Sequence, residues 1–511
     1  MGKQKTLTRR RADKLTGTDI VIPAGYTKIG YAAFHMRNDI KSIVVPEGVT
    51  VLDDYAFYVN SIVSIKLPES LIHIGNEAIS RCDYLEDLTI PDNVLRIGNR
   101  AFGGCRTLAK LTIPKSVTFI GENAFDGCKK LTNIHVEEGN PSFSFLNGAL
   151  FNKDRTLLIK YLSATPTDIY TIPNGVERIA DDAFKSCKNL TQINIPESVA
   201  CIGEDAFQFC SSLQLINVER TSVYFTGERG ILFTKDKSVL LKCPEKFSGK
   251  SVTIPDSVAS IAKYAFYKCT SIKSIKLSNG VESIEASAFS VCKGLTRLHL
   301  PDSVMHIGNS AFDCCSGLKY IKLPDSLTSI EYSVFRHCTY LENIDIPDGV
   351  ISIESWCFNE CINLKTVTLS KSVIAIGERM IVDCYSLKAI HVAEDNPMFS
   401  DIDGVLFNKD KTALLRYPPG KNAETYTVPN GVKTLGAYAF DDCKLNNIIL
   451  PDGLETIEKD AINGHRNIKN IILPKSVKRI ETDYKTFIIN IHDAQESELV
   501  SEILTGEEKD E

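Results

Sequence analysis

Apolar and polar residues alternate in short stretches that return at a fixed interval along the chain. In one of them, Leu298 and Leu300 alternate with Arg297 and His299, a period of two that is typical of a β-strand with one buried face. Pro301 follows directly and ends the strand, because proline has no backbone N–H to donate to a neighbouring strand. The pattern predicts a short strand whose leucines face a core.

The residues after this strand predict two further elements. Val304 and Ile307 flank a second short extended segment. Ala311, Phe312 and Cys315 then follow at spacings that suit about one helical turn. One unit therefore consists of a strand, a second short strand and a one-turn helix, each with its apolar side on a common core.

This unit recurs along nearly the whole chain with a period of 23 residues. Ser278 and Ser370 replace proline in two units, and two intervals are 22 residues because one residue is missing after the cysteine position. A lone unit buries too few apolar side chains to offset the backbone entropy it loses, so the units must stack to be stable. The proline positions are Pro23, Pro46, Pro68, Pro91, Pro114, Pro173, Pro196, Pro255, Pro301, Pro324, Pro347, Pro429, Pro451 and Pro474.

Three intervals measure 59 residues and contain an insert of one kind. The inserts begin after Val136, Val218 and Val392, and each carries two apolar runs around a short polar turn. This arrangement predicts a β-hairpin built into the array. The inserts lie near 137–172, 219–254 and 393–428.

The repeated phrase LxxIxIPxxVxxIGxxAFxxC resembles the leucine-rich repeat of BspA-like proteins, also called the Treponema pallidum type, and the match runs from about Asp19 to Ile480. The inserts resemble the NPxFxxxDGVLFxKD hairpin that interrupts the same family. The resemblance implies a right-handed solenoid of 23-residue units with a parallel concave β-sheet, and short second strands and one-turn helices on the other faces. It also implies a role in adhesion or host contact.

The array leaves two terminal segments. Residues 1–18 carry a basic cluster and are expected to form a solvated N-terminal arm before the solenoid at 19–490. Apolar residues among acids in 491–511 predict a C-terminal capping helix with an acidic tail.

Composition narrows the class of protein and its partners. The 511 residues carry a formal charge of −6, which disfavours a nucleic-acid partner. No apolar run is long enough for a membrane helix, and no signal peptide is visible. We expect a cytoplasmic protein, with the cell surface, reached by a route not visible in the sequence, as the alternative.

The cysteines predict no chemistry of their own. Twelve of the sixteen occupy one position of the repeat, where buried free thiols acting as small apolar groups are favoured. A zinc site at Cys357 and Cys361 lacks a second pair of ligands and is not favoured. No catalytic residue, cofactor-binding residue or metal ligand is assigned. The twelve are Cys82, Cys105, Cys128, Cys187, Cys210, Cys269, Cys292, Cys315, Cys338, Cys361, Cys384 and Cys443.

The outward strand positions, two and four residues before each proline position, carry the candidate binding surface. Small polar residues dominate there, except for a basic stretch with one aromatic residue at Lys276, Arg297, His299, Tyr320 and Lys322. We expect a non-catalytic interaction scaffold that binds a protein or other macromolecular partner on its concave face or its hairpins. An exported adhesin and an enzyme with a site assembled across repeats are the alternatives.

Overall fold

A computed structural model describes residues 5–462, 470–471 and 473–481. The capping helix and acidic tail expected at 491–511 lie outside these residues. These described residues divide into two compact units: unit 1 lies within Met1–Lys235 and Pro244–Lys246, and unit 2 lies within Asp236–Cys243 and Phe247–Glu511. Both units are parallel β-solenoids built from short strands, as the 23-residue period predicts.

The first strands of neighbouring repeats pair in parallel in groups of three, and together these strands form what we call the strand face. In unit 1 these strands are Asp19–Val21, Ser42–Val44, Ser64–Lys66, Asp87–Leu88, Lys110–Ile113, Asn133–Val136, Ile169–Thr171, Gln192–Ile195 and Leu215–Val218. In unit 2 they are Ser251–Thr253, Ser274–Lys276, Arg297–His299, Asn343–Asp345, Thr366–Leu369, Ala389–Val392, Thr425–Thr427, Asn447–Ile449 and Asn470–Ile471. They fall into separate three-stranded sheets rather than one continuous sheet.

The second strands are two residues long and also pair in parallel from repeat to repeat. In unit 1 they are Thr6–Leu7, Lys28–Ile29, Val51–Leu52, His73–Ile74, Arg96–Ile97, Phe119–Ile120, Arg178–Ile179 and Cys201–Ile202. In unit 2 they are Ser260–Ile261, Ser283–Ile284, His306–Ile307, Ser329–Ile330, Ser352–Ile353, Ala375–Ile376, Thr434–Leu435, Thr456–Ile457 and Arg479–Ile480.

The third side of each repeat, which we call the turn face, differs from the prediction. The one-turn helices expected around Phe312 are absent: within the described residues the sole α-helix is Arg9–Ala12. Ser310 and Cys314 have φ values of 57° and 58°, and a left-handed residue at both positions breaks a right-handed helix. Ala311, Phe312 and Cys315 therefore lie in consecutive turns.

The backbone N–H groups of these turns donate in two directions, some to the next repeat and others within their own turn. The N–H groups of Phe312 and Cys314 donate to the carbonyls of Val334 and Arg336 in the next repeat, at 3.0 and 2.8 Å. The N–H group of Cys315 donates within its own turn, to Phe312. The turn face is thus bonded from repeat to repeat, as the strands are.

Stacked phenylalanine rings fill the core beneath the turn face, as their shared repeat position predicts. In unit 2 the rings of Phe266, Phe289, Phe312, Phe335 and Phe358 follow one another at centroid distances of 5.1 to 5.9 Å. In unit 1, Phe102 stacks on Phe125 and Phe184 on Phe207.

The repeated cysteines line the same core. All sixteen cysteines fall within the described residues and carry free thiols, and the twelve in the repeat position are buried. Most of these thiols donate to a carbonyl one repeat earlier, as Cys315 does to Phe289 at 3.1 Å and Cys338 to Phe312 at 3.2 Å. The position therefore combines a small apolar volume with a donor for a buried carbonyl.

Each insert contains one strand more than the predicted hairpin. In the first, Phe143–Leu146, Ala149–Asn152 and Leu157–Tyr161 form an antiparallel meander, and the last strand rejoins the array in parallel with Arg178–Ile179. The third insert repeats this order with Phe399–Ile402, Val405–Asn408 and Ala413–Arg416. Of the second insert, Phe225–Glu228 and Ile231–Thr234 pair within unit 1, and Val239–Lys242 belongs to unit 2.

A buried asparagine fixes the start of the first insert. The side-chain amide of Asn140 donates to the carbonyls of Pro114 and Val117, and its oxygen accepts from the N–H groups of Ser142 and Phe143. Asn396 makes the same four contacts in the third insert. These bonds explain the Asn-Pro pair that opens both inserts.

The segment expected to be a basic arm is partly folded. Thr6–Leu7 pairs with Lys28–Ile29, and helix Arg9–Ala12 follows it. The Leu7 and Ala12 side chains are buried, so residues 5–12 pack on the first repeat of unit 1.

Candidate interaction surface

The residues predicted to bind a partner lie on the strand face of unit 2. Strand Ser274–Lys276 pairs with Arg297–His299, so that Lys276 is the register partner of His299. Ile275 and Leu298, between the outward residues, are buried. Strand alternation therefore presents Lys276, Arg297 and His299 to solvent.

Tyr320 and Lys322 belong to the next repeat and continue the same alternation. Ile321 between them is buried, and Tyr320 is 59% exposed. The backbone here is not a regular strand, because the three-stranded sheet ends at Arg297–His299. The side chains nevertheless hold the outward positions that the repeat predicts.

Two further lysines, missed by the sequence analysis, extend this surface. Lys273 and Lys319 each lie five residues before a proline position, one residue outside the strand positions considered, and both are exposed. Both lysines occupy the same position of the 23-residue repeat. The sequence would have predicted them if this position had been included among the outward ones. We call the whole set the basic patch: Lys273, Lys276, Arg297, His299, Lys319, Tyr320 and Lys322.

The basic patch holds five Lys and Arg side chains on three successive repeats and no acidic residue. In the part of the chain that the structure describes, none of these five cations forms an ion pair. No two of these cations are register partners, because Lys276 lies beside His299 and Arg297 beside Ser274, but all five share one face across strands spaced by about 4.8 Å. Like charges grouped in this way repel one another weakly in water, and an acidic ligand would relieve this repulsion.

One carboxylate of the next repeat, that of Glu342, is already paired. Lys365 donates to Glu342 Oε2 at 2.6 Å. This hydrogen bond, together with the charges of Lys365 and Lys319, holds the pKa of Glu342 below its ordinary value. Glu342 therefore marks the edge of the cationic surface, and its own hydrogen-bonded partner is Lys365.

Unit 1 contains a cleft of about 480 Å³ beside the first insert, lined by several ionisable groups. Lys160 donates to the carbonyl of Asp182 at 2.9 Å, and Asp181 accepts from the N–H of Glu204 at 2.9 Å. Asp182 also pairs with Lys185 at 2.9 Å. The Lys160 contact joins the insert to the following repeat, the Asp181 contact joins two repeats and the Asp182 contact lies within one turn, so all three have structural roles.

Comparison with known proteins identifies the family. A family model described as the BspA-type leucine-rich repeat region matches residues 13–139, 162–229, 242–339, 306–411 and 419–505. The chain belongs to the BspA-type leucine-rich repeat family. Proteins of this family are commonly surface or interaction proteins and are generally non-enzymatic scaffolds.

Solved structures of bacterial leucine-rich repeat proteins are similar to this BspA-type chain. A leucine-rich cell surface protein from Faecalibacterium prausnitzii is 26% identical, with 74% of this chain and 88% of that one covered and a TM-score of 0.43. A leucine-rich repeat protein from Eubacterium ventriosum is 19% identical, with 79% of this chain and 85% of that one covered and a TM-score of 0.43. The T. pallidum leucine-rich repeat protein is 21% identical, with 49% of this chain and 90% of that one covered and a TM-score of 0.24.

A search of curated protein sequences finds no match. Among the residues that the structure describes, no helix has the length and apolarity needed to cross a bilayer.

Proposed function

We propose that the protein is a non-catalytic scaffold that binds an acidic segment of a partner protein on the basic patch. One observation carries the proposal: five unpaired cations lie on three successive repeats with no carboxylate among them. Arg297 can make two parallel hydrogen bonds to a carboxylate. Tyr320 adds a rigid aromatic surface of the kind that is enriched at binding hot spots.

Charge also supports an acidic partner over a neutral one. Complementary charge speeds encounter and excludes like-charged partners more than it adds affinity. The tyrosine supplies contact area that salt does not screen. We therefore expect affinity that falls with salt but retains a salt-independent part.

The test is binding of a fluorescein-labelled glutamate-rich peptide to the full chain, with a lysine-rich peptide of the same length as the comparison. The double variant Arg297→Ala, Tyr320→Ala should bind the acidic peptide about thirtyfold or more weakly, because a central hot-spot residue contributes at least about 2 kcal/mol. The control is Thr366→Ala, Thr368→Ala, on the strand face of the same unit, which should bind as the unchanged protein does.

Two results would overturn the proposal. One is equal binding of the two peptides. The other is unchanged affinity in the Arg297 and Tyr320 double variant together with loss of binding when the exposed insert residues Lys153 and Asp154 are replaced by alanine. The second result would move the binding surface to the inserts.

A further inference from the structure

Four polar side chains that have no part in the basic patch meet on the turn face of unit 2. Asp313 and Cys314 belong to one repeat, His337 to the next and Glu360 to the one after. The backbone bond from Cys314 N–H to the carbonyl of Arg336, at 2.8 Å, and that from His337 N–H to Asn359, at 2.8 Å, hold these turns in register. Stacking therefore brings together residues that are 23 or 24 positions apart.

The three potential ligand atoms of Asp313, Cys314 and His337 all lie within 4.8 Å of one another. Asp313 Oδ1 is 3.4 Å from His337 Nδ1 and 3.6 Å from Cys314 Sγ. In a tetrahedral zinc site, an oxygen and a nitrogen ligand lie about 3.3 Å apart and an oxygen and a sulfur ligand about 3.5 Å apart, given bonds of about 2.0 and 2.3 Å. The observed separations match two edges of such a tetrahedron.

We propose that Asp313, Cys314 and His337 bind a single Zn²⁺-type cation, which ties two neighbouring repeats of unit 2 together. A thiolate, an imidazole and a carboxylate are a donor set that zinc accepts, whereas Ca²⁺ and Mg²⁺ take oxygen ligands. Three protein ligands leave a fourth position for water.

The groups around the ligands favour this assignment. His337 Nε2 lies 2.9 Å from Glu360 Oε1; when it donates to this carboxylate, the lone pair of Nδ1 faces Asp313, and a histidine ligand commonly has such a carboxylate partner. Arg336 donates to both oxygens of Asp313, at 3.0 and 3.2 Å, and so fixes the carboxylate. Asp313 itself is only 8% exposed.

Charge balances when the cation is present. The cation carries two positive charges, and the Cys314 thiolate and the Asp313 carboxylate each carry one negative charge. Arg336 and Glu360 offset each other. Burial, together with the charge of Asp313, raises the pKa of the Cys314 thiol to about 11, so the metal must displace the thiol proton when it binds.

The competing arrangement has no metal. In it, the two ring nitrogens of His337 contact Asp313 and Glu360 directly, and Cys314 keeps its proton and donates to Asp313. The two arrangements differ in one measurable respect, because only a metal site has a bond between sulfur and a metal.

The experiment is titration of the full chain with Co²⁺, which serves as a spectroscopic probe for Zn²⁺. The buffer contains a reductant without a thiol group, which keeps the cysteines reduced and does not itself bind the metal through sulfur. We expect one equivalent of Co²⁺ to give an intense near-ultraviolet band from thiolate-to-metal charge transfer, and Zn²⁺ to displace it. The variants Cys314→Ser and His337→Gln should lose the band. Cys201→Ser, which removes an exposed thiol of unit 1, should keep it.

Glu360 is a positioning residue in this proposal, and Glu360→Gln should weaken binding about 10- to 100-fold while the band is retained at saturating metal. Absence of a charge-transfer band in the unchanged protein would overturn the proposal in favour of the metal-free arrangement. A band of equal intensity in Cys314→Ser would overturn it as well, because the bound metal would then lie at another cysteine. Circular dichroism of each variant checks that it folds. If Cys314→Ser does not fold, His337→Gln serves as the test variant in its place.

Discussion

At the residue scale, the phenylalanine that most repeats carry is among the largest fully buried side chains of the core. Phe312 is fully buried, and its ring lies between those of Phe289, at 5.4 Å, and Phe335, at 5.5 Å. A truncation at this position removes contacts to both neighbouring repeats, since the rings stack in sequence.

We expect Phe312→Ala to lower the free energy of unfolding by about 3 to 5 kcal/mol, as for other large-to-small core changes. Phe312→Leu should cost less, because most of the volume is kept. Tyr340→Ala, at a ring that is 55% exposed, serves as the control and should change stability by about 0.5 kcal/mol or less. Urea unfolding of the three variants gives the comparison, and equal losses for Phe312→Ala and Tyr340→Ala would contradict the packing.

Residue spacing predicted which side chains are buried but not the backbone that buries them. Ala311, Phe312 and Cys315 have a spacing that fits both a helical turn and two consecutive turns with left-handed residues. The choice is made by hydrogen bonds to the next repeat, such as that from Phe312 to Val334. The sequence of a single repeat does not show these hydrogen bonds, so it cannot decide between the two backbone conformations.

The inserts are the elements that interrupt this order, and Asn140 is the residue that anchors the first of them. All four of its hydrogen bonds are to backbone groups, and the side chain is fully buried. The second insert has Ser222 at this point, which accepts from Tyr224 and Phe225. Serine can therefore replace part of the asparagine function.

We expect Asn140→Ala to destabilise the first insert by about 2 to 4 kcal/mol, because each buried group left without a partner costs about 1 to 3 kcal/mol. Asn140→Ser should lose less, since the hydroxyl can still accept the two N–H groups. Hydrogen exchange of the amides in Phe143–Leu146 measures the effect locally. Equal protection in Asn140→Ala and the unchanged protein would show that the meander does not depend on this cap.

The additional strand of each insert, which is the first in chain order, could not be predicted from the sequence for a related reason. Phe143–Leu146 is a short run that begins just after Asn140 and Pro141, and such a pair is typical of a turn. Its pairing with Ala149–Asn152 becomes evident only when the buried contacts of Asn140 are known. The hairpin itself was predicted because its turn and apolar runs recur in three copies.

At the scale of the whole molecule, both units carry the same column of buried thiols. Fourteen of the sixteen cysteines are buried, Cys201 is exposed and Cys314 is partly exposed. Burial raises the pKa of the Cys384 thiol to about 12, and the thiolate is the form that reacts.

Titration of the native protein with a thiol-specific disulfide reagent should therefore detect Cys201 quickly and Cys314 slowly. The fourteen buried thiols should react only in denaturant. The Cys201→Ser variant, which should lose the fast phase alone, identifies the signal. Several thiols missing from the total in denaturant, with a mass that indicates disulfides, would contradict the free-thiol arrangement.

The candidate sites differ in how far a sequence can reveal them. The outward positions of Lys276, Arg297 and Tyr320 follow from strand alternation within one repeat, so they could be named in advance. To predict that Cys314 lies close to His337, one must add the 23-residue period to a residue number and ask which side chains then become neighbours. Adding 59, the length of an interval that contains an insert, would likewise have predicted the contact from Asn123 to Asp182.

The parallel register of the strands, Lys276 beside His299 and Ser274 beside Arg297, also has a genetic consequence. A gene segment that encodes 23 residues can be duplicated or lost by unequal recombination, and every later side chain still falls in its own column. Each event of this kind lengthens or shortens the strand face by one row of outward residues and leaves the core composition unchanged. Selection can therefore adjust the reach of a charged surface one row at a time, without redesigning the fold.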